Sequence, residues 1–189
     1  MTDLSEARRT EHRKYRHTYA RQPNYRMGEK RMLDAVTDLR AIPARGSYLD
    51  VSCGRGEMLD HARRMGFTIV RGTEIVAQLI DGVKVVKAEA HALPFDDGSF
   101  EVVTMFDVIE HLIPGDDEAA CREMARVASK HVLLTANNRP SFSKAGDDLH
   151  INKRPYEEWD RLFREWFPGA VTWIKGKRHY VSEAWRIDL

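Results

Sequence analysis

The stretch Tyr48-Leu49-Asp50-Val51-Ser52-Cys53-Gly54-Arg55-Gly56-Glu57-Met58-Leu59 constrains this chain more than any other. A short apolar run ends in an acid, turns through two glycines and resumes with helical spacing. That pattern predicts a strand, a tight loop and a helix N-terminus. Gly54 and Gly56 tolerate positive φ and let a ligand approach the backbone closely. The helix start beyond them offers unpaired N–H groups to a carboxylate or phosphate. Open α/β sheets hold nucleotide-like ligands at such a turn, although many Gly-x-Gly segments are turns and nothing more. The dinucleotide fingerprint would place a third glycine where Leu59 stands.

The flanking segments repeat the alternation. Residues from about Asp3 to Arg31 are rich in Arg, Lys, His and Tyr, with a faint helical stripe through Leu4, Ala7, Tyr15 and Tyr19. A loosely packed cap is expected there: either a lid whose tyrosines and arginines face a ligand, or a solvated charged helix. Met32, Leu33, Val36 and Leu39 share a helical face that stops before Pro43. Strands are expected at Tyr48–Val51, Thr68–Thr73, Val83–Ala88, Phe100–Phe106 and His131–Thr135, with helices marked by Met58, Leu59, Ala62 and Met65 and by Cys121, Met124, Val127 and Ala128. Strand–helix alternation of this kind builds a parallel sheet covered by helices on both faces. A long polar stretch runs from Asn137 to Lys153 and is long enough to suggest function. Pro155 suits the first position of a helix bearing Trp159, Phe163 and Trp166. Ala170–Lys175 and His179–Asp188 then form a closing pair around Gly176-Lys177-Arg178. They are too close in sequence to be parallel.

Composition narrows the function classes. At 189 residues the chain fits one domain, and a net charge of +1 gives no overall electrostatic case for nucleic acid or anionic membrane. The polar N-terminus predicts no signal peptide and no membrane insertion. Cys53 and Cys121 have neither metal nor disulfide spacing, which suits a reducing, cytoplasmic compartment.

Four segments in order are similar to those of class I S-adenosylmethionine (SAM)-dependent methyltransferases, in particular the small-molecule and ubiquinone-pathway group. They are Leu49 to Gly56, Glu74, Glu89 to Phe100, and Phe106-Asp107-Val108-Ile109-Glu110-His111-Leu112. The resemblance covers roughly Asn24 to the C-terminus. It implies a Rossmann-like α/β fold, mostly parallel, with an antiparallel C-terminal strand pair. It also implies residues 1–27 as a cap or lid and residues 28–189 as a single SAM-binding domain. Ser52 departs from a glycine and Glu89 from an aspartate.

The resemblance further implies roles for SAM as the cofactor. Asp50, Ser52, Gly54 and Gly56 face the methionyl end, and Arg26 forks onto its carboxylate. Glu74 accepts both ribose hydroxyls, Glu89 and the Ala90 backbone read adenine, and Phe106 lies near the sulfonium. His111 and His150 are the candidate bases, since histidine titrates near working pH.

The leading acceptor is a hydroxyl or amine of a small molecule. The alternative is RNA or nucleotide 2′-O-methylation with a divalent metal on Asp107, Glu110, His111 and His150, which resemble the set of small-RNA 3′-end methyltransferases. A second alternative keeps SAM binding without transfer, as a regulatory subunit. Methylation of a DNA base amine is not expected, because Phe106-Asp107-Val108-Ile109 stands where such enzymes carry Asn/Asp-Pro-Pro-aromatic. Oligomeric state is not readable from these motifs.

Overall fold

The computed structural model describes residues 4–176 and 178–189. Residues 1–3 of the expected cap, and Lys177 in the expected C-terminal turn, lie outside the described residues. Helices α1 (Leu4–Arg21), α2 (Glu29–Arg40), α3 (Glu57–Arg64), α4 (Asp116–Val127) and α5 (Tyr156–Trp166) surround strands β1 (Ser47–Asp50), β2 (Ile69–Glu74), β3 (Val85–Lys87), β4 (Phe100–Met105), β5 (Ala128–Ala136), β6 (Ala170–Ile174) and β7 (Glu183–Asp188). The seven strands form one sheet in the order β3-β2-β1-β4-β5-β7-β6. The first five run parallel to their neighbours, and β7 is antiparallel to both β5 and β6. Chain order reverses at β1, with β2 on one side and β4 on the other. A crevice therefore opens at the carboxyl ends of β1 and β4.

Alternation along the central strands divides the core between the two faces. Tyr48, Val102 and Leu133 pack with Leu39, Met58, Leu59 and Ala62 beneath α2 and α3. Leu49, Val103 and Leu134 pack with Cys121, Met124, Trp159 and Phe163 beneath α4 and α5. Trp185 closes the second layer against Phe163 (ring centroids 5.0 Å) and Trp173 (5.4 Å), and its indole N–H donates to Asp160 at 3.0 Å. Among the described residues no helix is long and apolar enough to cross a membrane.

The expected cap is an 18-residue helix, exposed or half-buried except at Thr18, whose inner face lies across the crevice. Three expectations are corrected. Strand β3 starts later than expected because the Asp81 carboxylate takes the N–H groups of Val83 and Lys84, holding them in a bend ahead of Val85. Strand β7 starts later because Asp34 on α2 accepts the backbone N–H groups of His179 and Tyr180, drawing that segment off the sheet. Pro155 precedes α5 as its N-cap rather than opening it.

Trp185 is fully buried, so Trp185→Ala should cost roughly 3–5 kcal/mol. A urea titration reads this as a lower midpoint with an unchanged slope. A midpoint within error of wild type would contradict the packing described.

Candidate functional site

The crevice is floored by the glycine loop and the ends of β1, β2 and β4, and roofed by α1 with the segment that follows it. Backbone conformation explains the loop's residues. Gly54 and Gly56 have φ of 56° and 81°, and Ser52 has φ of 57° although it is not glycine. Ser52 thus takes up the left-handed backbone of a glycine, with its N–H donating to the Thr73 hydroxyl at 3.2 Å. Gly72 on β2 was not foreseen, and it is sterically fixed. A Cβ there would lie 2.5 Å from the Cys53 sulfur, which packs under the loop.

Of the residues assigned to the cofactor, Arg26, Asp50, Ser52, Gly54, Glu74, Glu89, Ala90 and Phe106 line this one cavity. Gly56 does not; it is the left-handed N-cap of α3, facing Leu59. Glu74 accepts the N–H groups of Gly54 (3.0 Å), Ile75 (2.7 Å) and Val76 (3.1 Å). Burial pushes its carboxyl up, and these three donors oppose the rise. Asp50 is buried at the end of β1 and accepts from the Thr104 hydroxyl at 2.7 Å; Tyr48 in turn donates to Thr104. Burial, reinforced by Glu57 and Glu74, pushes the Asp50 carboxyl up to about 7. Burial also pushes Glu89 up, but its contact with His12 on α1 (3.0 Å) more than offsets this and holds the carboxyl below its ordinary value.

His111 and His150 meet at the same end of the sheet, with ring centroids 4.7 Å apart. His111 Nδ1 lies 2.7 Å from the Leu149 carbonyl, and His150 Nδ1 lies 2.6 Å from the Arg139 carbonyl. A carbonyl only accepts, so both rings carry the proton on Nδ1, shared at His111 between the Leu149 carbonyl and the Tyr15 oxygen, and the lone pair on Nε2. Burial lowers the pKa of both rings, that of His111 to about 4, so His111 is neutral at ordinary pH. The candidate ligand atoms of Asp107, Glu110, His111 and His150 all lie within 4.8 Å of one another. Asp107 is paired with Arg31, while both carboxylate oxygens of fully buried Glu110 lack a partner among the described residues. Burial, then the neighbouring Asp107 charge, raises the Glu110 pKa well above the usual carboxylate range.

Residues of the N-terminal helix complete the roof. Arg8 forks onto Asp116 (2.8 and 2.5 Å), Tyr15 touches His111 Nδ1 at 2.5 Å, and Lys14 reaches the Asp148 carbonyl at 3.1 Å. The Tyr19 hydroxyl lies 2.8 Å from where a Gly54 Cβ would stand, and its ring meets Tyr25 edge-on. These contacts span up to 108 residues of sequence. The faint stripe through Tyr15 and Tyr19 was their one local sign.

The methyltransferase-domain family profile matches residues 15–183. A 1,6-didemethyltoxoflavin-N1-methyltransferase from Burkholderia thailandensis, solved with 1,6-didemethyltoxoflavin and S-adenosylhomocysteine, superimposes with a TM-score of 0.75 at 14% identity, over 100% of this chain and 91% of that one. The PH0226 protein of Pyrococcus horikoshii OT3 gives 0.69 at 17% identity, over 90% and 97%. The methyltransferase domain of a bacterial CtHen1 gives 0.64 at 16%, over 85% and 98%. At these identities the likeness is one of fold. No curated protein matches the chain.

The raised Asp50 carboxyl makes folding take up a proton. Its contribution to stability is fully present below the unfolded value near 3.8 and is lost as pH rises through about 7. Asp50→Asn keeps an oxygen for Thr104 but cannot ionise. The difference in Tm, variant minus wild type, should therefore grow between pH 5 and pH 8. A difference independent of pH would contradict the burial of an ionisable Asp50.

Proposed function

We propose that this chain, which belongs to the methyltransferase-domain family and is a class I SAM-dependent methyltransferase, methylates a hydroxyl or amine of a small molecule enclosed beneath α1. The observation that carries the reading is the convergence of Asp50, Gly54, Glu74, Glu89, Ala90 and Phe106 on one cavity that also contains the edge of His111. The donor and acceptor chemistry of this wall suits SAM. A buried acid faces the loop that would meet its ammonium, a strand-end acid faces its ribose, and an acid with an adjoining backbone N–H faces its adenine. Three of the roughly four acceptor sites on Glu74 are already engaged, so one ribose hydroxyl fits without rearrangement. Arg26 stands at the wall for the carboxylate.

SAM supplies an activated methyl group, which leaves positioning and proton removal to the protein. Helix α1 and the residues up to Met27 act as the lid over residues 28–189. Arg8, His12, Tyr15 and Tyr19 hold the lid against the acceptor and cofactor halves of the cavity together. His111 takes the acceptor proton on Nε2, while the Leu149 carbonyl keeps Nδ1 protonated. With its pKa near 4, His111 is a weak base, suited to an acceptor whose proton is already acidic.

A second reading is favoured by Glu110. A buried carboxylate without a partner, beside a second acid and two imidazoles whose tautomers are set by backbone carbonyls, fits the donor set of a divalent metal. Asp107, Glu110, His111 and His150 would hold the ion, and its chemistry would be to acidify a bound hydroxyl. RNA or nucleotide 2′-O-methylation belongs with this reading.

Glu74→Ala should weaken SAM binding by roughly 10- to 100-fold in a calorimetric titration. Unchanged affinity would contradict the placement. His111→Ala should lower transfer of labelled methyl into fractionated cell extract by roughly 10²- to 10⁴-fold while leaving SAM affinity intact. Label in small metabolites that survives EDTA supports the first reading. Label that EDTA and His150→Ala both abolish moves the metal reading ahead of it, and unaltered transfer in His111→Ala removes the assigned base.

A further inference from the structure

Beside the roof of the cavity lies a second recess, formed by the end of α1, the turn after it and the loop between β5 and α5. Arg21, Gln22, Asn24, Tyr25, Arg26 and Lys144 contribute to its wall. Three cations meet there and no acid lines the recess. None of the three has an ion-pair or hydrogen-bond partner among the described residues. Two cations that line the main cavity are paired instead, Arg8 with Asp116 and Arg31 with Asp107. Arg21 complements the dipole at the C-terminus of α1, which accounts for one of the three charges. Arg26 and Lys144 come from outside the helix, and all three cations are exposed, so an anion that enters the recess meets them with no carboxylate competing for them there.

The position of the recess gives it a use. Tyr25 and Arg26 line both it and the main cavity, so a ligand can place an anionic group in one and a reacting atom in the other. With Arg26 committed to the SAM carboxylate, Arg21 and Lys144 still face the recess. Gln22 and Asn24 there are exposed or half-buried amides able to donate as well. Several cationic donors converging with neutral amides suit a group of charge near −2 with three acceptor oxygens, which describes a phosphate better than a carboxylate. The exposed Arg9, Arg13 and Arg16 on the outer face of α1 add a positive field that steers an anion toward this mouth.

We propose that this recess is the anion subsite for the acceptor, and that the acceptor is a small molecule bearing a phosphate or diphosphate group. The assignment rests on the reading of the main cavity as the methyl-transfer site. The shared wall sets its geometry: the anion anchors one end of the acceptor at Arg21 and Lys144, and the methylated atom lies toward His111.

The test is a calorimetric titration of the full chain with inorganic pyrophosphate at low salt, using wild type, Arg21→Gln, Lys144→Gln and the double variant. SAM affinity and Tm are measured on the same samples. The expected result is saturable pyrophosphate binding that falls at least about tenfold in the double variant, with SAM affinity and Tm unchanged. Absence of saturable binding in wild type, or equal binding by the double variant, overturns the subsite. A parallel titration with a short single-stranded RNA distinguishes the source of the phosphate. RNA binding that exceeds pyrophosphate binding, falls steeply with salt and is lost in Arg9→Gln/Arg13→Gln/Arg16→Gln overturns the small-acceptor assignment. Failure of wild type to bind SAM would instead count against the transfer site itself.

Discussion

The site depends first on the Glu74 carboxylate. It stands at the end of β2 and takes the N–H groups of Gly54 on one side and of Ile75 and Val76 on the other. A buried carboxylate is costly unless its lone pairs are satisfied, and these three donors are what make its position tenable. In return the glycine loop, with three residues at positive φ between Ser52 and Gly56, is held in one shape. Gly72 makes this possible by leaving room for Cys53 under the loop, so the strand, the loop and the acid form a single unit. Every other group in the cavity is arranged around that fixed floor.

The roof is built differently. Helix α1 has little apolar surface to bury, and polar contacts distributed along its inner face hold it in place. Arg8 engages the start of α4, and His12, Lys14 and Tyr15 engage Glu89, the Asp148 carbonyl and His111. Such partly exposed contacts are individually worth little. A helix held by several weak contacts over a ligand cavity is drawn from the low-stability end of a structure, where lids are found. The floor is therefore the pre-organised half of the site and the roof its adjustable half.

Much of the floor was legible in the sequence, because each acid there ends an apolar run and the glycine loop is contiguous. Asp50, Glu74 and Glu89 needed only the strand pattern to be placed at one end of the sheet. The Glu110-His111 pair and His150 were legible as chemistry, but their tautomers depend on carbonyls of Leu149 and Arg139 that no spacing reveals. The roof was much less legible. Tyr15 and His111 are 96 residues apart, and Arg8 and Asp116 are 108 apart, so no local periodicity encodes their meeting. Shortened β3 and β7 show the same limit: side-chain carboxylates of Asp81 and Asp34 outcompete the sheet for the backbone donors of Val83, Lys84, His179 and Tyr180.

The cavity thus joins a rigid acid-and-glycine floor, His111 at one end and a roof of tyrosines and arginines. The central claim is that SAM lies between floor and roof, against Asp50, Glu74 and Glu89. Hydrogen exchange with and without S-adenosylhomocysteine tests it most directly, because it reads backbone segments without needing the acceptor. Added protection is predicted in the glycine loop, at Ile75 and Val76, at Ala90, and along α1 as the roof closes. Protection confined to other segments, or none at saturating ligand, would contradict it.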